Sequence, residues 1–208
     1  SEDGVRFLNH DEILSYEELE RLVSISLQLG IEKFRITGGE PFARKGCMAF
    51  LERLKVEHGV KNLFITTNGV AVSPHLSDLK RIDLSGINLS LDTMDRERFK
   101  EITRRDHFEN VISVFHEALR REIPLKVNSV VQSETSDREL VDLAELIKDH
   151  PVSLRFIELM PFSGKKQCDQ VKTTSLETRL MMLFPGMTEV SSNNIETARR
   201  FAVPGSKG

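Results

Sequence analysis

Arg35-Ile36-Thr37-Gly38-Gly39-Glu40-Pro41 is the stretch on which the reading of this chain turns. The alternating run from Lys33 to Thr37 predicts a strand, which stops at two glycines, a carboxylate and a proline. A strand that ends in Gly-Gly lets a ligand approach bare backbone, because no Cβ stands in the way. Glu40 offers an acceptor to an ammonium or hydroxyl group, and Pro41 fixes the turn. The plainer reading of Gly38-Gly39 is a tight βα turn that uses glycine for positive φ, with Glu40 solvated.

On either side of this stretch, strand and helix patterns alternate. Ser15 with Glu18 forms a capping box before Leu19, Leu22, Val23 and Leu27, and Gly30 is a helix stop. Ala43 to Lys55 reads as a helix. Asn62–Thr66 is a strand that runs into Thr66-Thr67-Asn68-Gly69, and Leu76 to Ile82 is a short helix. Ile87–Leu91 is a strand, followed by Asp92. Helices are predicted from Arg96 to Thr103 and from Val111 to Arg121. Leu125–Val131 is a strand with Lys126 and Asn128 interleaved. Ser136 with Glu139 opens a helix to about Lys148, Ser153–Glu158 is the last clear strand, and Thr174 to Phe184 is a further helix. From Pro185 onward the chain reads as loop. Strands alternating with helices imply an α/β fold, a parallel sheet with right-handed crossovers. In such sheets binding residues gather at the carboxyl ends of the strands, where the unusual polar clusters are expected here. No linker divides the chain, so residues 1–208 read as one domain.

Composition narrows the function classes. The chain has 208 residues, 39% hydrophobic and 29% charged, enough for one sizeable core. A net charge of −3 does not point to nucleic acid or an anionic membrane. No apolar run approaches the ~20 residues of a membrane span, and no signal peptide opens the sequence, so the expected location is cytoplasmic. Cys47 and Cys168 form no CxxC and indicate no disulfide framework. The six histidines are scattered without metal-ligand spacing, so no metal site is predicted. The ends, Ser1 and Gly205-Ser206-Lys207-Gly208, suggest one stretch of a longer protein.

Several polar residues on the predicted strands have two readings. Arg35 either turns inward toward an anion or snorkels outward past the helices. Thr66, Thr67, Asn68 and Gly69 serve a ligand or only a strand end and turn. The Ser90 hydroxyl meets a ligand or a neighbouring strand, and Asp92 caps the next segment. Lys126 and Asn128 share one face, suited to phosphate or carboxylate or simply solvated. Arg155 and Glu158 lie on opposite faces of one strand, so one of those faces is not apolar core.

Taken together, Phe34-Arg35-Ile36-Thr37-Gly38-Gly39-Glu40-Pro41, Thr66-Thr67-Asn68-Gly69, Ile87-Asn88-Leu89-Ser90-Leu91-Asp92, Lys126-Val127-Asn128 and Leu154-Arg155-Phe156-Ile157-Glu158-Leu159-Met160-Pro161 resemble the radical S-adenosylmethionine enzymes. Within them the resemblance is to the GTP 3′,8-cyclase family, which opens molybdopterin (molybdenum cofactor) synthesis. It covers nearly the whole chain and weakens after about Gly164. It implies a partial (β/α) barrel, S-adenosylmethionine, two 4Fe-4S clusters in the full-length protein, GTP as substrate and an electron donor; a homodimer is compatible with it. The implied reaction converts GTP to 3′,8-cyclo-7,8-dihydro-GTP through a 5′-deoxyadenosyl radical. By resemblance, Gly38, Gly39, Ser90 and Met160 match S-adenosylmethionine positions, and Glu40 matches a residue near its amino group. Arg35, Thr66 and Lys126 match GTP positions, and Arg155 matches an arginine near the reaction centre.

The sequence departs from that family in one respect. Radical enzymes of this kind hold their cluster through CxxxCxxC thiolates, and this chain has no such motif. Both cluster segments are therefore expected to lie outside the chain, which by itself would be inactive. Two alternatives stay open: another radical S-adenosylmethionine enzyme, and a cluster-less nucleotide-binding barrel module.

Overall fold

The computed structural model describes residues 12–159, 175–190 and 198–208. Its strands follow one another in space as they do in sequence. Strands β1 (Lys33–Ile36), β2 (Asn62–Thr67), β3 (Gly86–Ser90), β4 (Leu125–Val131) and β5 (Ser153–Glu158) form one parallel sheet in the order β1-β2-β3-β4-β5. Parallel neighbours need crossovers, and crossovers are right-handed. When each one steps in the same direction, all the helices fall on one face of the sheet. That is the arrangement of a partial (β/α) barrel, not of a doubly wound sheet with helices on both faces.

The helices are α1 (Tyr16–Gln28), α2 (Cys47–Val56), α3 (Leu76–Arg81), α4 (Arg96–Thr103), α5 (Phe108–Arg120), α6 (Asp137–Asp149) and α7 (Leu176–Leu183). Both expected capping boxes form. The Glu18 amide donates to Ser15 Oγ while the Ser15 amide donates to Glu18 Oε2 at 2.7 Å, and Ser136 with Glu139 repeats the pattern. The outer face of the sheet is apolar at every second residue. Leu63 and Ile65 of β2, Ile87 and Leu89 of β3 and Val127 of β4 are fully buried there. Phe50, Leu51 and Leu54 of α2, Leu79 of α3 and Val114, Phe115 and Ala118 of α5 belong to the same core. At about 25 cal/mol per Å² of apolar surface, this layer supplies the main drive to fold.

Differences from the expected boundaries have local causes. β1 ends at Ile36 rather than Thr37. The expected Ala43–Lys55 helix splits into a 3₁₀ turn, Pro41–Ala43, and α2, with Gly46 at φ 83° between them. Proline suits the first position of the 3₁₀ turn because its missing N–H would have no partner there. α5 begins three residues earlier than the apolar periodicity indicated. The segment after Pro185 is not all loop: β6 (Thr188–Glu189) and β7 (Phe201–Ala202) pair antiparallel. Asp92 caps no helix; Asp95 does, accepting from the Arg98 amide. Asp92 instead accepts from the Val130 amide at 2.8 Å, tying the end of β3 to β4.

Asn68-Gly69 is a turn with a packing constraint. Asn68 Oδ1 accepts from the Val70 amide, and Gly69 sits at φ 83°. A Cβ on Gly69 would meet Leu89 Cδ1 at 2.9 Å. Gly69→Ala is expected to lower the free energy of unfolding by about 1–3 kcal/mol through left-handed strain and overpacking. Urea denaturation of the variant against the parent checks this, and equal midpoints would refute it.

Candidate functional site

The inner face of the sheet, opposite the helices, gathers the polar residues. Strand alternation assigns each one. Phe34 and Ile36 pack against the core, so Lys33 and Arg35 point the other way. Leu63, Ile65 and Thr67 face the helices, so Phe64 and Thr66 face inward. The same rule turns Gly86, Asn88 and Ser90 inward on β3, Lys126, Asn128 and Val130 on β4, and Ser153, Arg155 and Ile157 on β5. Of the two readings of Arg35, the structure supports the inward one. None of these inward strand residues is acidic.

The register groups them into levels. Thr66, Asn88, Lys126 and Ser153 lie side by side across four strands, and Ser90, Asn128 and Arg155 form the next level up. The polar residues therefore do not all stand at carboxyl strand ends, as the sequence suggested. Lys126 is the second residue of β4, yet it is level with Thr66 near the end of β2, because parallel strands of a barrel are staggered. Within the lower level, Asn88 is buried and its Nδ2 donates to Thr66 Oγ1 at 3.4 Å. A cavity of about 190 Å³ opens near the amino ends of β3 to β5, bordered by Phe64, Gly86, Asn88, Lys126 and Ser153. Gly86 permits the Phe64 ring to lie across this floor, since a Cβ there would stand 3.2 Å from it. Lys33 Nζ sits 5.1 Å from the centre of the same ring.

Charge is concentrated on Lys126. Burial, and then the positive charges of Arg155, Arg200, Lys33 and Arg35, hold its ammonium below the ordinary lysine range. Sequence reading missed two of these cations, Lys33 and Arg200. Lys33 carried a signal, because it precedes Arg35 by two on the same strand. Arg200 carried none. It depends on the β6–β7 hairpin, where its carbonyl accepts from the Val190 amide, and on Arg199 turning to Glu177 and Glu189.

The Gly38-Gly39 edge is explained neither by backbone conformation nor by packing. Neither glycine has positive φ, and a Cβ on either would meet nothing within 4 Å. The plain turn reading, glycine for positive φ, fails here, and open space is left beside bare backbone. Glu40 holds that edge in place. Its carboxylate accepts from the Phe42 amide at 3.2 Å, from Thr67 Oγ1 at 2.9 Å and from the Asn68 amide at 2.8 Å. Thr67 is on the helix side of the sheet, so these oxygens brace the turn and join the ends of β1 and β2.

Met160 and Cys168 lie outside the described residues. Among the described residues no three His, Cys, Asp or Glu side chains converge to hold a metal. Cys47 is buried at the start of α2, and burial pushes its thiol up to about 11. A lone buried thiol does not supply the set of thiolates that holds a cluster. The described residues thus do not fit an iron–sulfur cluster, whereas the Gly-Gly edge leaves open space beside bare backbone and the inner face gathers positive charge. No described helix is long and apolar enough to cross a membrane.

Residues 3–147 match the model of the radical SAM superfamily. The chain belongs to that superfamily. It is 36% identical over its whole length to a GTP 3′,8-cyclase of Alkaliphilus metalliredigens (strain QYMF), covering 65% of that relative. It is 41% identical over 77% of its length to a GTP 3′,8-cyclase of Heliobacterium modesticaldum (strain ATCC 51547 / Ice1), covering 49% of it. It is 34% identical over 99% of its length to molybdenum cofactor biosynthesis protein 1 of Drosophila melanogaster, covering 37% of it. The chain thus spans less than two thirds of the length of these relatives. Among solved structures it is similar to methylornithine synthase, with a TM-score of 0.63 at 16% identity over 83% of this chain and 53% of that one. It is also similar to anSMEcpe with bound AdoMet, with a TM-score of 0.61 at 23% identity over 79% of this chain and 45% of that one. At such identities the structures speak for the shared partial barrel alone.

The crowded cations of this radical SAM barrel carry a cost that can be measured. The folded state depresses Lys126 below its unfolded value, so between the two the unfolded chain binds more protons and stability rises with pH. Below that window the penalty is present in full. Lys126→Met is therefore expected to stabilise the unliganded chain at neutral pH, with the gain shrinking as pH rises through the ordinary lysine range. Denaturant midpoints at neutral and alkaline pH test this. A loss of stability at neutral pH would overturn it.

Proposed function

We propose that this barrel is part of a GTP 3′,8-cyclase and that its inner face binds GTP and S-adenosylmethionine together. The observation that carries this reading is the set of cations, Lys33, Arg35, Lys126, Arg155 and Arg200, around a face whose strand residues include no acid. A half-buried ammonium with further cations close by is costly until an anion arrives. A triphosphate supplies several negative charges at once, and guanidinium groups fork onto phosphate oxygens. The names of the relatives supply the nucleotide and the reaction.

In this reading the lower level of the face takes the nucleotide. Lys126 and Arg35 meet phosphate oxygens, and Thr66, already accepting from Asn88, turns its hydroxyl proton toward the substrate. The upper level and the Gly-Gly edge take S-adenosylmethionine. Gly38 and Gly39 lie along its methionine part, braced by Glu40, and the Ser90 hydroxyl meets its adenosyl part. Met160 is assigned to the same cofactor on the resemblance alone. S-adenosylmethionine supplies the adenosyl group that takes a hydrogen from the GTP ribose. Arg155, level with Ser90, stands nearest the reacting carbon, where its fixed positive charge orients the substrate. The face positions both molecules and, with the apolar outer layer behind it, keeps water from the reactive intermediate. We place the two 4Fe-4S clusters and the electron donor that serves them outside the described residues.

Two sets of variants test the assignment by isothermal titration under anaerobic conditions. Gly39→Val is expected to remove S-adenosylmethionine binding while leaving the fold intact, since the space around Gly39 is open. Lys126→Ala and Arg35→Ala are expected to weaken GTP binding by about 1.5–3 kcal/mol each, with little effect on S-adenosylmethionine. Raising the salt should narrow that difference, because partly exposed ionic contacts are screened. Wild-type affinities in all three folded variants would refute the placement.

A further inference from the structure

Of the cations Arg155, Arg200, Lys33 and Arg35 around Lys126, only Arg200 lies outside the five-stranded sheet. It stands directly before β7, and its carbonyl accepts from the Val190 amide at 2.9 Å, just past β6. β6 and β7 pair over two residues each, too short a ladder to hold its shape unaided.

The neighbouring Arg199 supplies the hold. Its Nε and Nη2 donate to the two carboxylate oxygens of Glu189 at 3.0 and 2.7 Å, and its Nη1 donates to Glu177 of α7. Its guanidinium also lies 5.2 Å from the centre of the Phe201 ring. One side chain thus joins α7, β6 and β7. α7 is fixed in turn, because the mostly buried Arg179 donates to Asp137 Oδ1 at 2.6 Å and to the Thr135 carbonyl at 2.9 Å. Beyond β7 the Lys207 and Gly208 amides donate to the Ile147 carbonyl at 3.0 and 3.1 Å. The arm that carries Arg199 is therefore tied down beside the first turn of α6 and again near its last.

Successive residues of an extended chain point to opposite sides. With Arg199 held against α7, Arg200 is directed the other way, within electrostatic reach of Lys126. That position raises the cost of folding, because it adds to the positive charge around Lys126. Glu177 and Glu189 are engaged by Arg199. A phosphate-bearing ligand offsets the cost, since a guanidinium forks onto two phosphate oxygens.

We propose that Arg199 is a positioning residue that locks the β6–β7 arm onto α7, so that Arg200 meets the phosphates of GTP from outside the sheet. This rests on the reading that the inner face binds GTP, and it adds a substrate contact that the strands themselves do not carry.

The experiment uses the whole protein under anaerobic conditions, with GTP and S-adenosylmethionine as probes. Binding is read by isothermal titration, and thermal unfolding without ligand reports on the fold. Arg200→Met is expected to weaken GTP binding about tenfold, the range of one charged hydrogen bond, and to leave S-adenosylmethionine binding unchanged. Arg199→Met and Glu177→Gln should each weaken GTP binding about three- to tenfold with the same selectivity. A double-mutant cycle decides between aiming and simple bracing. In the Arg200→Met background, Arg199→Met should cause no further loss of GTP affinity, because nothing is left to aim. An equal further loss there, or wild-type GTP affinity in both Arg199→Met and Glu177→Gln, would mean that Arg199 forms only a surface ion pair, and the proposal fails. Parallel loss of both ligands, or a large fall in unfolding temperature, in both of those variants would also overturn it. If Arg200→Met binds GTP like wild type while Lys126→Ala binds it weakly, this proposal falls and the GTP reading stands. If the wild-type protein binds no GTP, that reading fails and takes this proposal with it.

Discussion

Each crossover in this chain steps one strand further in the same direction, and the rest of the architecture depends on that constraint. Right-handed connections then place every crossover helix on one side of the sheet. One face is closed by an apolar layer built from α2, α3 and α5. Among the described residues the other face receives none of the crossover helices and carries polar groups. A doubly wound sheet of the same strands would have covered both faces, and residues such as Arg35, Asn88 and Lys126 would have had no place on it.

That polar face carries an electrostatic cost. Lys126 is partly buried, and the charges bearing on it from Arg155, Arg200, Lys33 and Arg35 all have its own sign. The surface ion pairs of the chain, such as Arg81 with Glu52 and Arg96 with Asp106, lie elsewhere and are solvated. Pairs of that sort contribute little to stability. The inner cations raise the cost of folding, and the apolar outer layer supplies the stability that offsets them.

At the Gly-Gly edge one side chain braces the backbone and leaves the rest open. Glu40 spends its oxygens on Phe42, Thr67 and Asn68, so the carboxylate fixes the turn instead of reaching outward. Gly38 and Gly39 are then held with open space beside them, although neither packing nor φ calls for glycine. Across the sheet, Asn128 Oδ1 is a buried acceptor without a partner among the described residues.

Much of this was legible in the sequence because the signals are local. Alternation on each strand sorts its residues into two faces, so Lys126 and Asn128 could be placed together before any coordinates, while Arg35 kept an inward and an outward reading. Capping boxes at Ser15 and Ser136 marked two helix starts, and the strand–helix alternation gave the parallel sheet. The break at Gly46 that holds α2 apart from the Pro41–Ala43 turn and the β6–β7 hairpin were missed, since neither has a periodic pattern long enough to stand out. Only the tertiary structure decided which residues meet. Register across neighbouring strands is set by the stagger of the barrel and by helix packing, interactions between residues far apart in sequence. It put Thr66 beside Lys126, Asn128 between Ser90 and Arg155, and Arg200 within electrostatic reach of Lys126. The period of two determined which way each side chain points, and the staggering of the strands determined what it points at.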